Sequence, residues 1–172
     1  EPLTRPSQLQ GRTIRVIQSR LHTSLWSGFG AVPVGIPITE TYNALATGVA
    51  DAMDLTISAY AGFKLYEVVP CLTRTAHIRS SGVIFYAASF WDGLAEEEKA
   101  LLRQVSGEAA AYFNDLMAAD EAQSLEIALS QGGRVIEPEA IDEWRAGAQA
   151  VWSDFEASVG GRQVIEAALQ QE

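Results

Sequence analysis

Two textures divide the chain. Through residue 88, short apolar runs alternate with turn residues; beyond it, apolar positions recur every three or four residues. Residues 1–11 read as an entry loop and a polar turn ending at Gly11. Thr13-Ile14-Arg15-Val16-Ile17 is rich in β-branched residues and predicts a strand. Leu21, Leu25 and Phe29 repeat at helical spacing and predict a helix over 21–28. Gly30 to Pro37 predicts a short strand with breakers at both ends. Thr39 is a candidate N-cap for a helix through Ala46, with Tyr42, Leu45 and Ala46 inward and Gly48 just past its end. Residues 49–56 read as a buried strand interrupted by Asp51 and Asp54, and another strand is expected around Cys71–His77. Val83-Ile84-Phe85-Tyr86, inside 81–88, carries the strongest strand signal of the chain. Short strands alternating with short helices predict an α/β domain with a mostly parallel sheet.

After Ser89 the period changes. Ser89-Phe90-Trp91-Asp92 has capping-box spacing, with Gly93 breaking soon after. Glu96-Glu97-Glu98 favours a helix N-terminus through the macrodipole. Leu102, Val105, Ala109, Tyr112, Phe113 and Leu116 then mark one face of a helix that ends at Gly132-Gly133. Roughly 35 residues at 1.5 Å each make it about 50 Å long, more than the width of one small domain. Val135-Ile136 predicts a short strand, and Pro138 opens a helix with Ile141, Trp144, Ala148, Val151, Trp152 and Phe155 inward. Gly160-Gly161 breaks it before a terminal helix marked by Val164, Ile165, Ala168 and Leu169.

Charge sharpens this division. The 172 residues carry a formal net charge of -10. Five acids stand against seven bases through residue 88, and seventeen acids against five bases after it. The acidic half reads as solvated helices, and the first half is where an anion could be met. So acidic a chain is not expected to grip nucleic acid or to lie on an anionic membrane, and it has no run of 18 apolar residues to span one. Cys71 is the only cysteine, which excludes an internal disulfide and a multi-cysteine zinc site, and its apolar neighbours predict a small buried residue. The chain starts at Glu1 with no visible leader, as expected of either a removed export signal or a fragment.

Catalytic signatures are missing. Gly28-Phe29-Gly30 lacks the third glycine and the preceding strand of a phosphate loop. No nucleophile elbow is present, and His22 and His77 have no companion ligands in sequence; no cofactor is assigned. Arg15 stands out because it lies mid-strand among Ile14, Val16 and Ile17. Arginine is rarely buried unpaired, and its planar fork suits a carboxylate. The alternatives are a surface strand arginine or one paired with Asp51 or Asp54. For these two acids, structural pairing is weighed against a cation site, which two carboxylates alone do not specify. Trp91, Trp144 and Trp152 fit core positions, and Trp26 fits the core or a cleft wall. His77 reads as a hydrogen-bonded structural histidine at a strand end.

The order of short segments then resembles a known family. Gly11-Arg12-Thr13-Ile14-Arg15-Val16 resembles the GLKIRV segment of the solute-binding proteins of TRAP transporters, the DctP family. Gly30-Ala31-Val32-Pro33-Val34 is similar to that family's GANPV, and Glu40 to Asp51 to its EVYTALQTGVVDG. Phe63 to Val68 and Leu72 to His77 resemble KFYEV followed by LTLTGH, and Ser89 to Leu94 resembles KKFWDSL. Spacing is kept across nearly the whole chain.

The resemblance implies a periplasmic-binding-protein-like (type II) α/β lobe with a mostly parallel sheet, a long helix and a helical tail. By the same resemblance, residues 1–80 form a second-lobe core, 81–120 a cross-strand and long helix packing on a first lobe, and 121–172 helices returning to the second lobe. It implies a periplasmic protein, not an enzyme, that captures a small organic anion and passes it to membrane permease subunits. Arg15 occupies the position whose arginine pairs with the ligand carboxylate in that family. Ile38, Leu55, Asp54, Ser19 and Trp26 complete the expected ligand wall. Leu55 stands where the family often has an amide, and Ile38 where it often has an aromatic, so a ligand with a hydrophobic or less hydroxylated body is expected. Asp54 replaces the family's glutamate in a region that helps some members hold a cation; no metal is assigned. Members of the family are longer, with an N-terminal lobe before the IRV segment. A lone half would expose apolar surface on 81–120, bind weakly, and dimerise or swap elements through that surface. The competing classes are a ligand-sensing domain of the same fold and a small α/β enzyme using His77 with Asp51 or Asp54.

Overall fold

Residues 1–78 and 81–170 are described by a computed structural model. In chain order the elements are β1 (Thr13–Val16), α1 (Arg20–Gly28), β2 (Val32–Gly35), α2 (Ile38–Ala46), β3 (Ala52–Met53), α3 (Ile57–Gly62), β4 (Cys71–Thr73), α4 (Ala88–Asp92), α5 (Glu96–Ser130), β5 (Arg134–Ile136), α6 (Ile141–Trp152), α7 (Glu156–Val159) and α8 (Arg162–Leu169). The expected boundary at residue 80 lies outside the described residues.

β1 is the central strand of a three-stranded parallel sheet ordered β2-β1-β3. Arg15 sits opposite Val34 on one side and Met53 on the other. Parallel strands need long crossovers, and α1 and α2 supply them. The β1→β2 connection leaves to one side of β1, and the β2→β3 connection returns across it. The carboxyl edge between β1 and β3 is therefore a topological switch point, where open α/β sheets bind ligands. β4 and β5 form a second, two-stranded parallel sheet. The expected mostly parallel α/β architecture is thus present.

Two apolar clusters hold these layers. Ile14, Val16 and Leu9 pack with Trp26 of α1, Ala31 and Trp144 of α6. Leu45, Ala50, Tyr60, Leu65 and Tyr66 pack with Ala128 of α5. Gly48 closes α2 as expected: its φ of +74° suits glycine, and Val49 N–H returns to the Ala44 carbonyl.

Several expected features differ. Residues 81–87 are not a strand; the backbone there is irregular, with Val83 79% and Phe85 82% exposed. A strand needs a neighbour to take its backbone hydrogen bonds, and none of the described strands pairs with this segment. α4 begins at Ala88 with Ala87 as N-cap, so Ser89 lies inside the helix rather than capping it. β3 keeps only two paired residues, because Asp51 and Asp54 flank it. α5 has the expected 35-residue length. Its expected inward face is nevertheless exposed at Val105, Tyr112, Phe113 and Leu116. The buried residues of α5, Ser124 and Ala128, lie in its C-terminal part, which packs beside α3. Trp91 is half-buried, stacked on Tyr86 and covered by the Arg103 guanidinium 4.9 Å from its ring centre. Cys71 is also half-buried, within 2.9 Å of Arg134 Nη2. α6 starts at Ile141, three residues after Pro138, and Ile141 itself is exposed.

Candidate functional site

Ser19, Ile38, Asp54 and Leu55 all follow the carboxyl ends of the three sheet strands, and Arg15 rises between them from the central one. Arg15 is only 1% exposed. Its Nε donates to the Ile36 carbonyl at 2.9 Å, and its Nη1 donates to the Asp54 carbonyl at 3.4 Å. The guanidinium is thus seated on the two segments leaving β2 and β3. The same segments are stitched to β1 through the backbone: Ile36 N–H donates to the Val16 carbonyl and Asp54 N–H to the Arg15 carbonyl, both at 3.2 Å. Burial pushes the guanidinium pKa down from its ordinary value, and the nearby negative charge of Asp54 pulls it partly back. Among the described residues Arg15 has no carboxylate partner, so the expected alternative of pairing with Asp51 or Asp54 is not realised.

Asp51 is exposed and accepts the Thr13 backbone N–H at 2.9 Å, a structural role at the start of β1. Asp54 is 3% exposed and faces α1 instead. Its Oδ2 accepts from Trp26 Nε1 at 2.7 Å and lies 2.5 Å from His22 Nδ1. His77 Nε2 stands 4.0 Å from the same oxygen, close enough to act through its field rather than by a direct hydrogen bond. Oδ1 has no partner among the described residues. Burial pushes the carboxyl pKa up, but His77, Trp26 and His22 together more than offset this and hold it below its ordinary value. Asp54 is therefore held in its ionised form.

Trp26 belongs both to the core and to this cluster, which joins its two expected roles. His77 lies beyond β4 in irregular chain, with its ring edge against Trp26 and Nδ1 2.6 Å from Thr75 Oγ1. Ser19 is the N-cap position of α1, half-buried, with no side-chain capping bond. Ile38 and Leu55 are also half-buried. Trp26, Asp54 and Leu55 line a cavity of about 280 Å³ with Met53, Tyr60 and His77. Arg15, Ser19 and Ile38 are not among its lining residues. Sequence reasoning missed His22. The signal was its spacing: His22 and Trp26 are four residues apart, which places two N–H donors on one face of α1. Among the described residues no group of three or more His, Cys, Asp and Glu side chains could hold a metal ion. None of the described helices is long and apolar enough to cross a membrane.

Comparison with known proteins identifies the family. Residues 1–158 match the family DctP, described as bacterial extracellular solute-binding protein, family 7. The C4-dicarboxylate-binding periplasmic protein DctP of Shewanella loihica is 26% identical over 171 residues, covering 98% of this chain and 51% of that protein. A TRAP periplasmic solute-binding protein from Shewanella oneidensis with bound succinate superposes with a TM-score of 0.81 at 28% identity, covering 99% of this chain and 56% of that one. One from Roseobacter denitrificans with bound β-D-glucuronate gives a TM-score of 0.83 at 25% identity, covering 96% and 55%. The chain spans about half the length of these relatives. Neither they nor the described residues support the expected dimer or element swap. The chain belongs to the DctP family of bacterial extracellular solute-binding proteins.

Proposed function

We propose that this chain supplies the anion-contacting part of a periplasmic TRAP solute-binding protein, which captures a small organic carboxylate through Arg15 and delivers it to membrane permease subunits. One observation carries the reading: a buried arginine at a topological switch point, seated on two backbone carbonyls and without a carboxylate partner among the described residues. A buried guanidinium that lacks a counter-anion favours acquiring one, and a carboxylate matches its fork. The relatives are consistent with this, since succinate and β-D-glucuronate occupy two of them. Leu55 and Ile38 make the wall beside Arg15 more apolar than a sugar acid prefers, so a carboxylate with a less hydroxylated body is the favoured ligand. The long helix α5 and segment 81–87 carry the apolar surface that a first lobe would cover.

The test is a thermal-shift panel of carboxylates, from succinate and short-chain acids to uronates, repeated with Arg15→Ala. Stabilisation by one or more acids that disappears in Arg15→Ala supports the reading. Equal shifts in both proteins overturn the role of Arg15. Binding restricted to polyhydroxylated acids overturns the apolar-ligand part alone.

A further inference from the structure

Asp54 is placed to compete with any anion that Arg15 receives. Its own carbonyl already accepts from Arg15 Nη1, and its negative charge already acts on the same guanidinium. A carboxylate supplied by the chain itself needs no association entropy and would outcompete a dilute ligand. Yet the carboxylate is turned away. Trp26 Nε1 donates to Oδ2, and His22 Nδ1 meets the same oxygen, both from one face of α1. Among the described residues Oδ1 has no partner, so the carboxylate's described contacts all lie on the α1 and His77 side. β3, which ends at Met53, pairs through only two residues and is a weak anchor for Asp54 just beyond it. The side-chain bonds to α1 therefore fix both the carboxylate and the Asp54 carbonyl on which Arg15 rests.

We infer that His22 and Trp26 are positioning residues that restrain Asp54, keeping its carboxylate off Arg15 and its carbonyl under Arg15, so that the guanidinium stays unpaired with a carboxylate of the described chain and is left for the incoming anion. This rests on the reading of Arg15 as the anion-binding group. The two donors act through Asp54; neither needs to touch the ligand.

The test uses Trp26→Phe, which keeps a ring but removes the N–H, and His22→Leu, which removes the other donor. His22→Asn keeps a donor near the Nδ1 position. Each is read by calorimetric titration with succinate and D-glucuronate, and by the NMR signals of the Arg15 Nε–H and the Asp54 carboxyl carbon without ligand. Trp26→Phe and His22→Leu are expected to weaken binding of the probe about tenfold and to shift both signals, with His22→Asn near wild type. Adding Asp54→Asn to Trp26→Phe removes the competing charge and is expected to restore most of the affinity. A purely structural role for Trp26 predicts no such rescue, so its failure overturns the inference. Unchanged signals and affinity within twofold in folded Trp26→Phe overturn it as well. Tyr66→Phe, in the other core cluster and outside the cavity lining, is expected to leave the Arg15 signal in place. If wild type binds neither probe while the signals shift as described, the carboxylate reading fails and the restraint of Asp54 stands. If His22→Leu does not fold, Trp26→Phe and its double variant decide the matter.

Discussion

Asp54→Asn tests the electrostatics of the site at one atom. The change keeps the side chain's shape and one acceptor oxygen but removes the charge. In the wild type, Oδ2 accepts from Trp26 at 2.7 Å and contacts His22 at 2.5 Å. Bonds to an ionised acceptor contribute about 1.5–3 kcal/mol each, and roughly half as much when neutral. Relief of the desolvation of a residue only 3% exposed works in the opposite direction. The net sign follows from the carboxyl pKa, which is held below its ordinary 3.8 despite burial. The folded state therefore prefers the charged form, and Asp54→Asn is expected to destabilise the chain by about 1–3 kcal/mol at pH 7. That contribution is present above pH 3.8, the unfolded value, and is lost as pH falls through the lower folded value. Urea unfolding of both proteins at neutral pH and at successively lower pH measures it. The gap between them should close on acidification, whatever the other acids do, because their titration is common to both. A variant as stable as wild type at neutral pH, or a gap that does not change with pH, refutes the reasoning.

Other consequences are checked more simply. Gly147→Ala should lower stability by about 1–3 kcal/mol in urea unfolding, because a Cβ there would overlap the Phe29 ring, itself packed against Trp144. The Tyr60 phenol is pushed up to about 12, chiefly by burial and also by nearby Cys71, so its ultraviolet titration should fall well above the ordinary value of 10. Because the folded state holds that proton more tightly, the stability it gives is full below pH 10 and is lost as pH rises toward 12. Phe85→Ser should cost less than about 0.5 kcal/mol, since the ring is 82% exposed, and should reduce binding of a hydrophobic dye. A large stability loss there would mean that the segment packs in solution.

Much of the fold was legible from spacing. Thr13–Val16, the α2 helix with Gly48 behind it, and the long helix ending before Gly132-Gly133 all express local rules of period and breaker. The errors came where local pattern needs a distant partner. Val83-Ile84-Phe85-Tyr86 has every property of a strand except a neighbour to pair with, and no local rule records that. The apolar face at Val105, Tyr112 and Phe113 differs from its expected inward position for the same reason, because periodicity identifies a face but not what covers it. Within the site, Arg15 was legible because a mid-strand arginine is chemically out of place. Its partners were not, since they are backbone carbonyls and carry no side-chain signature. Asp54 was legible as a core acid, but its attachment to α1 rather than to Arg15 depends on the packing of His22 and Trp26 against it across the fold.

The central claim is that Arg15 meets the ligand's carboxylate, and a crystal structure with succinate bound tests it most directly. The account predicts a carboxylate oxygen at about 2.7–2.9 Å from the Arg15 guanidinium, with Asp54 still bonded to Trp26. Succinate seated instead in the cavity behind Trp26 and Leu55, making no contact with Arg15, would contradict it.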